Sequence, residues 1–270
     1  MMPEIKIRDV AEENIEDLCQ VCVPSHKRDD PDWVKGAGEK TEWAIEMLHQ
    51  WGPFAKLACQ GERPVGMIQF RPVPEERVVH IDCVYVPSTE CLRKGIATRL
   101  LSSLMEDVKK PMTWFDNKRP LGLVTKTFPG EGPGQYSARE FFTRKGFKRI
   151  GEDADHLYYP LEAGFVYRPV EKEEARYVPQ DEDKGIALIV CGPNGCPGTY
   201  PYFLKRMEKY IREIDPEVSI RWMDSSEEPE ELRKRNVGVG ACIVNARLIE
   251  AFVLDKESFQ KDVKESLTDG

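Results

Sequence analysis

Between Val79 and Leu104 the hydrophobic pattern changes period once. Val79 to Val86 is an apolar, β-branched run with His80 and Asp82 alternating on one face, which predicts a strand. Pro87 and Ser88 break it. From Gly95-Ile96-Ala97 onward the apolar positions Ile96, Leu100, Leu101 and Leu104 fall at helical spacing. Further on, Leu121 to Thr125 reads as an apolar strand, and Gln135 to Phe147 reads as a short helix ended by Gly146. The polar, proline-bearing stretch from Arg168 to Lys184 reads as a linker. A second α/β pattern follows it: strand Ile186 to Val190, helix Pro201 to Ile214, strand Val218 to Met223, helix Pro229 to Arg235. Strands Ala241 to Val244 and Leu248 to Leu254 and a helix from Lys256 complete it.

The strand-to-helix junction after Val86 carries the first chemistry. A helix start offers free backbone N–H groups and the positive end of the dipole, which suit a pyrophosphate. Arg93, Lys94 and Arg99 add cationic side chains, and small Gly95 and Ala97 let a ligand approach the backbone. The same pattern fits an ordinary strand and helix with a glycine between them, so the second segment is needed.

Taken together, Leu92-Arg93-Lys94-Gly95-Ile96-Ala97 and the segment from Gln135 to Phe147 resemble the GNAT superfamily of acyl-CoA-dependent N-acetyltransferases. The first stands where that family carries R/Q-x-x-G-x-G/A, the second where it carries N-x-x-A-x-x-F/L-Y-x-x-x-G-F. Ile5 to Val10 and Ala11 to Leu18 look like the family's first strand and helix, and Phe54 to Cys59 with Val65 to Phe70 like its next hairpin. The resemblance covers residues 3 to 165. It implies an α/β fold with a central mixed sheet flanked by helices, acetyl-CoA as co-substrate, and direct attack by an amine of a small molecule or peptide.

By the same resemblance, the backbone of Val84, Tyr85 and Val86 binds the pantetheine arm and polarises the thioester. Leu92, Arg93, Lys94, Gly95, Ile96, Ala97 and Thr98 form the pyrophosphate turn, and Gln135 and Phe142 belong to the second cofactor motif. Three departures stand out. Leu92 replaces the usual Arg or Gln. Pro87 lies two residues further from Gly95 than the family spacing. Phe142 occupies the position of the tyrosine that protonates the CoA thiolate in many members, leaving Tyr136 or a water for that role. A general base on the cleft-facing strand is expected at Asp82 or His80. Acceptor specificity is expected from Pro24 to Pro53, which includes Trp33, Trp43, Trp51, His26, His49 and a helix from Thr41 to Gln50.

With 270 residues the chain is long for one domain. Residues 1–167 read as the acetyltransferase-like domain, 168–184 as the linker and 185–270 as a thioredoxin-like domain, because the βαβ then ββα order is that of a thioredoxin-like fold. A net charge of −8 without a basic block argues against nucleic-acid binding. No run of about 18 apolar residues and no signal-peptide stretch is seen, so a soluble, cytoplasmic protein without a membrane partner is expected, its eight cysteines as thiols. The sequence leaves the oligomeric state open.

Cys196-Pro197-Gly198-Thr199 sits between the first strand and first helix of the second domain, where glutaredoxins carry C-P-x-C or C-P-x-S. A cysteine at a helix start has its thiolate stabilised by the dipole, and Cys191 is the candidate resolving thiol. Ala241 stands where thioredoxins place a cis-proline, beside Cys242. Val239 to Ala246 and the C-P-x-T start resemble the YoaP-like domain found behind acetyltransferase domains. These thiols read either as structural or as redox-active. Cys19 and Cys22 with His26 have metal-like spacing, but Cys19 and Cys22 share a helical face with Leu18 and Ile15 and read as a buried stripe, so no metal is assigned. Cys59 and Cys83 are expected in the core, Cys91 as an exposed thiol. The overall expectation is an acyl-CoA-dependent N-acyltransferase. Its rivals are a thiol-redox protein centred on Cys196 and a non-catalytic acetyl-CoA sensor.

Overall fold

The computed structural model describes residues 4–127, 137–170 and 176–268. The chain divides into two compact units, one of residues 1–21 and 47–171, the other of residues 22–46 and 172–270.

The first unit is built on a seven-stranded mixed sheet in the order β1-β2-β3-β4-β5-β7-β6. Its strands are β1 (Ile5–Asp9), β2 (Ala55–Gln60), β3 (Arg63–Val73), β4 (Val78–Tyr85), β5 (Gly122–Lys126), β6 (Lys148–Ile150) and β7 (Asp153–Pro160). All neighbours are antiparallel except β4 and β5, which run parallel. Helix α1 (Ile15–Val21) buries Ile15, Leu18 and Cys19 of the expected stripe, but it ends before Cys22, which is half-buried with Lys40 Nζ 3.2 Å from its sulfur. Helix α3 (Ile96–Asp107) lays Ile96, Leu100, Leu101 and Leu104 on Val79, Ile81 and Leu123 of the sheet, and Phe142 of α4 (Ala138–Arg144) joins that core. The opposite face carries a smaller cluster of Val78, Val124, Tyr158 and Tyr167.

The second unit has a four-stranded sheet in the order β11-β10-β8-β9, from β8 (Ile186–Cys191), β9 (Ser219–Asp224), β10 (Cys242–Val244) and β11 (Arg247–Leu248). Strand β8 runs parallel to β9 and antiparallel to β10. It is buried on both faces, which explains its unbroken apolar run. Ala187 and Ile189 pack under α5 (Lys205–Ile214) and α7 (Lys256–Thr268), whereas Leu188 and Val190 pack with Leu232 of α6 (Pro229–Arg235).

Four details differ from the sequence reading. The helix expected over Thr41–Gln50 is part of a longer one, α2 (Pro31–Trp51), begun by Asp30, whose Oδ1 accepts the Asp32 N–H, and by Pro31 at its first position. Its residues up to Glu46 group with the second unit. Trp33 stacks edge-on against Tyr202 there, and a Cβ on Gly36 would lie 2.1 Å from the Pro197 carbonyl oxygen. The end of the expected linker is not a solvated tether. Asp183 is fully buried, bound by Arg235 Nε and Nη2 at 2.8–3.1 Å and by the Tyr177 hydroxyl at 2.7 Å. The strand expected over Leu248–Leu254 ends at Leu248 and gives way to turns. Cys83 is exposed on β4 rather than in the core, while Cys59 is buried as expected. Among the described residues no helix is long and apolar enough to cross a membrane.

Candidate active site

The parallel pair β4 and β5 is the feature that shapes the site. The two strands pair over Val78–Ile81 and Gly122–Thr125. Beyond this, β5 stays with β7, through Lys126 opposite His156 and a Thr127 N–H to Asp155 carbonyl bond of 2.7 Å. Strand β4 stays with β3, with Val84 opposite Ile68 and Tyr85 opposite Met67. The Thr125 hydroxyl donates to the Ile81 carbonyl at 2.9 Å, at the last shared position. From Asp82 to Tyr85, no pairing with β5 is present among the described residues. An extended ligand can take that edge.

A bulge sits at the same place. Cys83 pairs with Gln69 and Ile81 with Phe70, so Asp82 is the extra residue on β4. The bulge inverts the alternation: Val79 and Ile81 face the α3 core before it, Val84 and Val86 after it. A strict period of two would not give this. His80 Nδ1 lies 2.8 Å from Asp82 Oδ1, and Arg71 Nε, on the residue opposite His80, donates to the same oxygen at 3.0 Å. Oδ2 of Asp82 is buried without a hydrogen-bond partner. On β7, burial pushes the His156 imidazole below its usual range, and the charge of His80 acts in the same direction. His156 stacks on Tyr167, whose hydroxyl donates to Glu76.

The turn before α3 is open. Gly95 is the N-cap with φ 75°, no side chain caps the helix, and a Cβ at Gly95 would meet nothing within 4 Å. The first intrahelical bond runs from Arg99 N–H to the Gly95 carbonyl at 3.0 Å, so the preceding N–H groups lack helical partners. Arg93 also adopts left-handed backbone, φ 59°, at a typical cost of about 1–2 kcal/mol. Leu92, Arg93, Lys94 and Gly95 are exposed, Ala97 and Thr98 half-buried, and Ile96 is a core residue. Arg99 corrects one expectation, because its guanidinium reaches back to the Ile5 carbonyl at 3.3 Å rather than joining the turn. Cys91 is half-buried rather than exposed.

Of the second cofactor motif, Phe142 is buried, with Phe141 and Phe147 stacked on it at 5.1 and 4.9 Å. Gln135, Tyr136 and the glycine-rich stretch 130–134 lie outside the described residues. The sequence missed Arg71, His156 and the Tyr167–Glu76 pair. Only the register of β3, β4 and β7 brings the first two to His80.

In the second unit Cys196 is exposed and Cys191 buried, both free thiols. The helix does not begin at Cys196. Gly198 caps a wide turn, Thr199–Leu204, that leads into α5, which puts Cys196 outside the first turn, where the dipole acts. Burial and Asp224 push the Cys191 thiol up to about 11, and burial pushes Cys242 up to about 12. Both favour the protonated, unreactive form.

Residues 16–126 match the sequence model of the Acetyltransferase (GNAT) family. The match spans less than half of the chain and agrees with the resemblance read from the sequence. No curated protein matches the chain. Among solved structures it is similar to PaiA N-acetyltransferase from Thermoplasma acidophilum in complex with coenzyme A, at 17% identity and TM-score 0.42, over 57% of this chain and 96% of that one. It is also similar to a GNAT family acetyltransferase from Brucella melitensis in complex with acetyl-CoA, at 14% identity and TM-score 0.42, over 63% and 97% of the two chains. A third is an acetyltransferase of the GNAT family from Staphylococcus aureus Mu50, at 16% identity and TM-score 0.42, over 59% and 100%.

Proposed function

We propose that this enzyme transfers acetyl from acetyl-CoA to a primary amine of a small molecule or peptide by direct attack, in the unit built on the seven-stranded sheet. The observation that carries the reading is the parting of β4 from β5 beside an uncapped helix start. The backbone of Val84, Tyr85 and Val86 takes the pantetheine arm along the vacated edge and polarises the thioester carbonyl. The N–H groups from Arg93 to Thr98 hold the pyrophosphate, with Leu92 beside the turn.

His80 is the proposed base. With Nδ1–H donating to Asp82 Oδ1, Nε2 is left to take a proton from the acceptor's ammonium, which frees the amine lone pair for attack. Asp82 is then a positioning residue, because Arg71 and His80 already share its Oδ1. The freed amine nitrogen bonds to the thioester carbon, the tetrahedral intermediate gives its remaining surplus N–H proton to solvent, the C–S bond breaks, and the CoA thiolate takes a proton from Tyr136, reprotonated from solvent, or from water. Phe142 supplies packing beneath the site, having no hydroxyl to give.

The second unit is proposed to be a thioredoxin-like, YoaP-like domain. Its support is the sheet order, with β8 between a parallel β9 and an antiparallel β10, and the Cys-Pro-Gly-Thr segment between first strand and first helix. An exposed Cys196 and a buried, protonated Cys191 favour a monothiol over a dithiol in any redox role. A cytoplasmic setting belongs to the same proposal.

The test is release of CoA thiol from acetyl-CoA with a panel of primary amines. Turnover that depends on both an amine and His80 supports the reading. Tight acetyl-CoA binding without turnover on any amine supports a sensor instead.

A further inference from the structure

The second unit holds a polar cluster that the acetyltransferase reading does not use. Cys191 and Asp224 are register partners at the last position of the parallel strands β8 and β9, the edge at which open α/β sheets bind ligands. Sγ of Cys191 lies 3.6 Å from Oδ2 of Asp224. Glu39, on the part of α2 that belongs to this unit, supplies a third donor, and one ligand atom from each residue lies within 4.8 Å of the others.

Glu39 is 6% exposed. Asn194 Nδ2 donates to its Oε2 at 3.3 Å, but Oε1 is buried with no hydrogen bond. A native structure rarely leaves a buried carboxylate oxygen so. The nearest cation, Lys35 Nζ, stands 3.7 Å from that oxygen and 3.8 Å from Asp224 Oδ2, beyond hydrogen-bond reach of either. Lys35 is itself 42% exposed on a long flexible stem, and its Nζ also lies over the Tyr200 ring, 5.2 Å from the centroid.

We propose that Glu39, Cys191 and Asp224 form a binding site for a thiophilic divalent cation of the zinc class, with Lys35 as the placeholder that the ion displaces. A thiolate beside two carboxylates selects such an ion over magnesium or calcium. Tetrahedral coordination at ordinary zinc distances sets sulfur and oxygen donors about 3.5 Å apart. The Cys191–Asp224 separation of 3.6 Å already meets that spacing. Three protein donors leave a fourth position for water or a ligand. On binding, the Cys191 S–H bond breaks, its proton passes to solvent and a metal–sulfur bond forms without oxidation or reduction.

The test is calorimetric titration of the full, chelator-treated chain with Zn²⁺ or Cd²⁺ alone, with thiolate-to-cadmium charge-transfer absorption as a second readout. The expected result is uptake of about one equivalent with that absorption. Cys191→Ser should remove the band and, like Glu39→Gln, weaken binding roughly 10- to 100-fold. Lys35→Met, at a part-exposed position, should tighten binding. No stoichiometric uptake by the folded protein would overturn the proposal. So would uptake that is unchanged in Cys191→Ser, which would assign the ion to other cysteines. Should the two buried variants not fold, unchanged or weaker affinity in Lys35→Met would overturn it instead.

Discussion

Each unit presents the carboxyl end of a parallel strand pair, and the two ends differ in what they offer. In the first unit β4 and β5 part after Ile81 and Thr125, so backbone groups become available. In the second unit β8 and β9 stay paired to their last residues, Cys191 and Asp224, so side chains become available. Backbone N–H groups are neutral donors fixed in place, which suits an amide-rich arm and a pyrophosphate. A thiol flanked by carboxylates suits a cation instead. A second contrast lies within the second unit. Asp183 meets Arg235 and Tyr177 and is held by hydrogen bonds on both oxygens, while Glu39 Oε1 has no hydrogen bond and only the Lys35 ammonium 3.7 Å away. The first is structure, the second is capacity to bind.

The sharpest way to break this picture is His80→Gln. If His80 is the base at the backbone-lined end, turnover should fall by about 10²- to 10⁴-fold with little change in acetyl-CoA affinity. Steady-state rates beside binding isotherms would show it. Next in size is Arg235→Met, which leaves the buried Asp183 without its cation and with only the Tyr177 hydroxyl bond. Urea unfolding should register a loss of about 3–5 kcal/mol.

A smaller effect concerns His156. Burial lowers its folded-state affinity for protons, so the unfolded chain protonates first as the pH falls through about 6.5. The unfolded state then binds more protons and stability drops with acidification. His156→Gln should flatten that part of the stability profile, seen by unfolding at neutral and mildly acidic pH. Smallest of all, if backbone amides rather than this side chain make the grip, Leu92→Ala should change acetyl-CoA affinity by no more than about twofold.

Legibility along the chain divided in the same way as the chemistry. The turn proposed to hold the pyrophosphate was readable because backbone recognition needs a small residue such as Gly95 where a strand gives way to a helix, and such a local pattern survives in one sequence. His80 and Asp82 were readable as neighbours on a strand. Their inequality was not, since Arg71 reaches Asp82 only through the β3–β4 register and its bulge. The Glu39, Cys191 and Asp224 cluster was invisible, because residues so distant in sequence meet only when part of α2 packs with the second unit. Asp183 was hidden for a related reason. In a charged, proline-bearing stretch it looks solvated, and its buried partner Arg235 lies at the end of α6.

The most direct measurement is the calorimetric affinity of acetyl-CoA for the wild-type chain, Gly95→Ala and Gly95→Glu. Open space surrounds Gly95, so alanine adds only the strain of its left-handed backbone, typically about 1–2 kcal/mol. Glutamate adds bulk and negative charge on the phosphate path. The account predicts clear binding by the wild type, a modest loss with alanine and no detectable binding with glutamate in a folded protein. Undiminished affinity in Gly95→Glu, or none in the wild type, would contradict it.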